Sequence, residues 1–234
     1  MVRFIYQLNY LKKIMITHAY IDASNLFYGG KKSLGWSIDY EKLIQYIKYR
    51  FEVSKVYYFG GVETCRFPHD CLKNETICLD DLEKYLRNYI DNHKKGVSKN
   101  NIEGFNHCLK QVGFYKKLEL FGYNLILKPV KTYVDINGKQ KQKANCDTEM
   151  VFNLMLDRDV FDRALIFSGD GDFLVVLKHL RDVDKKYLTI ISNGYKTAGD
   201  VKRFAGDKFI DFVNFRQCTE RGWCGHKNQK STLF

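Results

Sequence analysis

The sequence predicts an α/β protein: a mainly parallel central sheet with helices packed on both faces. Three observations predict it. Short runs rich in β-branched and aromatic residues alternate with segments of helical periodicity along most of the chain. The spans between those runs are long enough to hold the crossover helices that parallel strands require. Acidic residues recur just after strands, the position where open α/β sheets bind their ligands.

Taken in order, "ITHAYID" (16–22) reads as the first strand and ends in Asp22. "SIDYEKLIQYIKYRF" (37–51) is a helix, with Leu43, Ile44, Ile47 and Phe51 on one stripe and Ser37 as its N-cap. "KVYYFGG" (55–61) is the next strand. Residues 62–104 break the rhythm: they are polar, carry Cys65, Cys71 and Cys78, and hold one helical stretch near 79–93, so they read as an insertion. Helix 104–122 and strand 124–130 follow. "VDINGKQ" (134–140) carries an Asn-Gly turn signal and predicts a hairpin. Helix 146–157, strand 164–168, helix 172–182, strand 187–192, a short helix at 199–205 and a strand at 208–213 complete the series.

Composition bounds what such a chain does. At 45% hydrophobic and 15% aromatic it holds one sizeable core. Residues 15–215 read as one domain, flanked by an extension (1–14) and a tail (216–234). No apolar run approaches the roughly 20 residues of a membrane-spanning helix, and "MVRFIYQLNYLKKIM" is too polar for a secretory signal. Seven cysteines without a framework spacing fit a reducing cytosol, hence a cytoplasmic location. Lys and Arg number 38 against 27 acidic residues, a net charge of +11 that favours a polyanionic partner, nucleic acid first. The basic runs 92–100, 128–143 and 185–203 mix Lys and Arg with Tyr, suited to phosphate contact and base stacking; Lys139, Lys141, Lys143 and Lys196 are the candidate RNA contacts. The hairpin at 131–143 leads directly to Asp147 and is placed to guide a strand of nucleic acid.

The acidic residues carry the chemistry. Asp22 ends the first strand, and "SGDGDF" sets Asp170 and Asp172 just past strand 164–168. If these strands are neighbours, three carboxylates meet at one rim. In "ANCDTEMVFNLMLD", Asp147 falls on the inward stripe of a helix at its first turn, which adds a fourth. Crowded carboxylates repel and hold protons unless a cation neutralises them, and oxygen-only ligation favours Mg²⁺ or Mn²⁺. Asn25 and Ser168 are short polar residues at the same rim, suited to orienting a carboxylate or a metal-bound water. Gly169 and Gly171 leave room for a sharp turn and a close phosphate. Taken singly, each acid has a plainer role: Asp22 in a turn, Asp172 as an N-cap, Asp147 at a helix dipole. Their conjunction on a basic chain is what points to a metal site.

"YIDASNLF", "KQKANCDTEM", "IFSGDGDFLVVLKHL" and the late "AGDKFIDF" together resemble the NYN family of PIN-like nucleases, in its LabA-like branch. The resemblance covers about 16–61 and 123–213. It implies a three-layer α/β/α PIN-like fold and a metal-dependent ribonuclease, with Asp22, Asp147, Asp170 and Asp172 as the acidic centre, Asn25 as the family's asparagine and Ser168 as the small polar residue before the acidic loop. Relatives of this kind often pair, so a homodimer is a further expectation. Hydrolysis at such a centre, expected to be endonucleolytic, leaves a 5′-phosphate and a 3′-hydroxyl.

Two other readings stay open. A non-catalytic RNA-binding or regulatory module would keep the fold and use the basic surface. A phosphohydrolase of the haloacid dehalogenase type also uses strand-end aspartates, but its motif wants an acid at position 24, where this chain has Ser24. Cys218, Cys224 and His226 lie close in the tail without a clear fourth zinc ligand.

Overall fold

The computed structural model describes residues 15–26, 35–92, 99–134 and 140–219. The expected alternation is present: β1 (Thr17–Asp22), α1 (Ala23–Leu26), α2 (Tyr40–Phe51), β2 (Val53–Val62), α3 (Leu79–Asn92), α4 (Lys99–Phe121) and β3 (Asn124–Pro129) come first. The hairpin β4 (Lys131–Val134) and β5 (Gln140–Lys143) follows, then α5 (Asp147–Leu156), β6 (Arg163–Phe167), α6 (Leu174–Asp182), β7 (Tyr187–Ser192), α7 (Gly199–Ala205), β8 (Phe209–Asp211) and α8 (Arg216–Thr219).

Six strands form one sheet in the order β3-β2-β1-β6-β7-β8, every neighbouring pair parallel. The chain therefore works outward from β1 to β3, then returns to lay β6 against the free side of β1. That reversal opens a crevice at the carboxyl ends of β1 and β6, the topological switch point where α/β sheets bind ligands.

Period-two alternation sorts the strand residues between two cores. On one face Ala19, Ile21, Leu165 and Phe167 pack with Leu43 and Ile47 of α2, Leu118 of α4 and Phe215. On the other, Tyr20, Phe59, Ala164 and Ile166 pack with Met150 and Leu154 of α5, Leu177 of α6 and Val201 of α7. Strands buried on both faces read as continuous apolar runs, as β6 does.

Three local readings are corrected. The N-cap of α2 is Asp39, not Ser37: its carboxylate accepts from the N–H groups of Glu41 and Lys42, both at 3.1 Å. Ile38 is drawn into the core, which delays the helix until after it. α4 starts at Lys99, inside the segment read as an insertion, and Leu118, Tyr115 and Val112 of that helix are buried in the main core. Finally, the cysteines are not all unpaired: Cys65 after β2 is joined to Cys108 of α4 by a disulfide. Chain separation hid this pair, since the two lie 43 residues apart with no motif between them.

The far end of α5 is fixed to the sheet. Asp157, its C-cap, accepts from the hydroxyl of Tyr57 at 2.6 Å and that of Tyr20 at 3.2 Å, and faces His18 Nδ1 at 3.3 Å. No helix among the described residues is long and apolar enough to cross a membrane.

Candidate active site

β1 and β6 are in register from Thr17 opposite Arg163 to Ile21 opposite Phe167, so the next residues, Asp22 and Ser168, end the two strands side by side. The adjacency on which the acidic rim depends is thus met. Asp22 Oδ1 accepts from both the N–H and the hydroxyl of Ser24, at 2.9 and 2.8 Å. Burial pushes its carboxyl above the ordinary carboxylate range; the Ser24 and Asn25 hydrogen bonds oppose that shift, and the charge of Asp170 adds to it.

After β6 the chain turns at once. Ser168 is buried and its Oγ accepts from the N–H of Asp170 at 3.3 Å. Asp170 caps a 3-10 turn at Gly171–Phe173, its Oδ1 accepting from the N–H of Asp172 at 3.0 Å. Phe173 is buried in the core beneath, which fixes the turn and leaves Asp170 and Asp172 exposed above it.

Asn25 ties β1 to this loop. Its Oδ1 accepts from the N–H of Gly169 at 3.3 Å and from Ser192 Oγ at 2.9 Å, so one side chain links the ends of β1, β6 and β7. Gly169 is required for space: a Cβ there would lie 2.5 Å from Ser192 Oγ, 2.7 Å from Thr197 Oγ1 and 3.0 Å from Thr197 Cα. It serves packing between two loops, whereas Gly171 has only Ala198 Cβ nearby, at 3.7 Å.

Asp147 enters from the other side. It is the first residue of α5, whose N-cap is the buried Cys146. The Cys146 thiol donates to the Gly60 carbonyl at 3.4 Å, and a Cβ on Gly61 would meet Ala144 Cβ at 2.3 Å, so Gly61, near the end of β2, leaves room for the chain that leads into α5. Burial, with the nearby Glu149, pushes this thiol up to about 12, and both Asp22 and Asp147 add to the shift. Glu149 itself pairs with Lys128, at 2.6 Å.

Asp22 thus ends β1, Asp170 and Asp172 lie in the loop after β6, and Asp147 begins α5, whose N-cap Cys146 bonds to β2. Among the described residues no three His, Cys, Asp or Glu side chains stand close enough together to hold a metal ion. Asp22 accepts from Ser24, and Asp170 accepts from the N–H of Asp172 in its own loop.

Of the basic candidates, Lys141 and Lys143 lie on β5, opposite Tyr133 and Lys131 of β4. Lys196 is exposed in the turn after β7. Lys139 lies outside the described residues, as do Cys224 and His226 of the tail.

Sequence reasoning missed the support beneath the rim. Ser192, Asn193 and Thr197 are buried polar residues. Thr197 Oγ1 donates to the Asn193 carbonyl at 2.7 Å, and the Ala198 N–H donates to that of Gly169 at 3.0 Å, locking the β7 loop to the Asp170 loop. The signal available was "SNGYKT", an Asn-Gly turn directly after a strand.

Comparisons with known proteins agree with this architecture. A family model described as the NYN domain matches residues 17–214. The chain is 26% identical, over 206 residues and 86% of each chain, to the low amplitude and bright protein LabA of Synechococcus elongatus. Among solved structures, a protein of unknown function from Vibrio parahaemolyticus superposes with a TM-score of 0.53 at 16% identity, over 84% of this chain and 93% of that one, a likeness of fold.

Proposed function

The chain belongs to the NYN domain family, and from that premise we propose that it is a metal-dependent ribonuclease, cutting RNA phosphodiester bonds internally. One observation carries the proposal: Asp22 ends β1, and Asp170 lies in the loop directly after β6, the parallel neighbour of β1, at the point where the sheet reverses its order. Family membership supports chemistry of the nuclease type, and a net charge of +11 supports a polyanionic substrate.

The donor set fits Mg²⁺ or Mn²⁺, because the rim offers carboxylate oxygens and Asp22 is already held above its ordinary range by burial and by the Asp170 charge. Asp22 and Asp170 would hold the ion, with Asp147 and Asp172 completing the site directly or through water. Such an ion, when bound, lowers the pKa of a water and offsets charge on the phosphate. The chain's own part is to position. Ser24 and the Asp172 N–H each hold one oxygen of the two principal carboxylates, which would leave the other oxygens to the ion. Asn25 and Ser168 fix the backbone of the acidic loop, and Lys141, Lys143 and Lys196 attract the phosphate backbone.

A second reading, an RNA-binding module without catalysis, is favoured by the absence of three clustered ligands among the described residues. One experiment separates the two. Wild type and an Asp170→Asn, Asp172→Asn double variant are incubated with a mixed RNA pool in Mg²⁺ or Mn²⁺, and the new ends are sequenced. Cleavage by wild type alone, leaving 5′-phosphates, is expected. RNA retained but uncut by both proteins would establish the binding module instead.

A further inference from the structure

The turn after β7 holds a feature that the four aspartates do not use. Tyr195 is 91% exposed, the most exposed tyrosine side chain among the described residues. Its backbone is nonetheless firmly placed. Asn193 is buried at 1% exposure, and its Oδ1 accepts from the Tyr195 N–H at 2.8 Å. The Asn193 carbonyl accepts from the N–H groups of Lys196 and Thr197, both at 3.0 Å.

The turn is also packed on both flanks. Gly194 lies so close to Asp211 that a Cβ there would stand 2.3 Å from its carboxylate, and Thr197 is set against Gly169 on the other side. Chain geometry then keeps the Tyr195 Cα within about 16 Å of that of Asp170. A phenol ring is thus presented to solvent from a rigid turn, a few nucleotides' reach from the candidate centre. Beside it stands the exposed Lys196, with no acidic partner among the described residues.

An aromatic ring and a lysine side by side on a fixed loop match what single-stranded nucleic acid offers: a base face to stack on and a phosphate to neutralise. A duplex hides its base faces inside the stack, so the same ring gives it nothing to grip.

We propose that Tyr195 is a base-stacking residue, that with Lys196 it forms a subsite for single-stranded RNA, and that this turn makes the protein prefer single strands over duplex. The inference rests on the ribonuclease reading for its substrate. Asn193 is the positioning residue that holds the turn.

The test is made in full-length Asp170→Asn protein in Mg²⁺, so that RNA is not cut. Three fluorescein-labelled probes of one length are titrated: a mixed-sequence single strand, the same strand with abasic sites throughout, and its duplex. Adding Tyr195→Ala is expected to weaken the single strand about tenfold and leave the abasic strand and duplex within twofold. Tyr195→Phe, which keeps the ring, is expected to bind like the parent. Lys196→Ala is expected to weaken all three probes and to lower the salt slope by about one. Equal binding of the single strand by the parent and Tyr195→Ala would overturn the stacking subsite while leaving the ribonuclease reading intact. So would an equal loss on the ordinary and abasic strands. A parent that binds no RNA in any form would overturn both.

Discussion

The N–H of Gly169, in the loop after β6, donates to Asn25 Oδ1 in the short helix α1 that follows β1, a 3.3 Å hydrogen bond across 144 residues of chain. The bond fixes the height of the acidic loop relative to Asp22. Because the same oxygen accepts from Ser192, its loss leaves two donors at the rim without their partner. Asn25→Ala is therefore expected to cost about 1–3 kcal/mol in urea unfolding and to lower RNA cleavage about tenfold or more. Asn25→Asp, which keeps an acceptor in place, is expected to lose less stability. Equal losses in the two variants would show that the acceptor is not what matters.

Gly169 and Gly171 flank the same aspartate but should respond oppositely to a methyl group. Gly169→Ala drives a Cβ into Ser192 and Thr197 and is expected to destabilise by about 1–3 kcal/mol. Gly171→Ala meets only Ala198 at ordinary contact distance and is expected to stay within about 0.5 kcal/mol of wild type. Thermal unfolding of the two variants side by side measures the contrast.

Asp22 should trade stability for function. Its carboxyl is held above the ordinary value of 3.8 by burial, helped by the charge of Asp170, so the folded chain binds its proton more readily than the unfolded chain. Stability contributed by this group therefore falls as pH rises from 3.8 through its folded pKa, and ionised Asp22 costs stability at neutral pH. Asp22→Asn is expected to raise Tm at pH 7 while removing cleavage by about 100-fold or more. Mn²⁺ is expected to raise the Tm of wild type and not that of the variant. A variant no more stable than wild type at pH 7 would refute the burial argument.

His18 gives a pH dependence of the opposite sign at the far end of α5. Burial lowers its pKa below 6.5, against the opposing pull of Asp157. The unfolded chain then binds the proton more readily, so this contribution to stability is present above 6.5 and is lost as pH falls through the window below it. Wild type is expected to lose Tm between pH 7 and pH 5, and His18→Gln to lose less. Parallel melting curves across that range decide it.

The sequence by itself determined the alternation of strands and helices, the parallel class of the sheet and the positions of Asp22, Asp147, Asp170 and Asp172 at element ends. These are local properties: period-two and helical patterns, and the residues that interrupt them, are written within a few positions of one another. Where a choice was local but close, as between Ser37 and Asp39 at the start of α2, burial of Ile38 settled it. Tertiary structure alone decided that β6 lies beside β1, which brings Asp22 and Ser168 level. It also decided that Gly61 leaves room for the chain leading into α5, that Asn25 holds Gly169 and Ser192, and that Cys65 meets Cys108. Each of these joins residues far apart in the chain. Strand order and cross-chain hydrogen bonds follow from which apolar faces close together in three dimensions, and no periodicity within one segment records its neighbour.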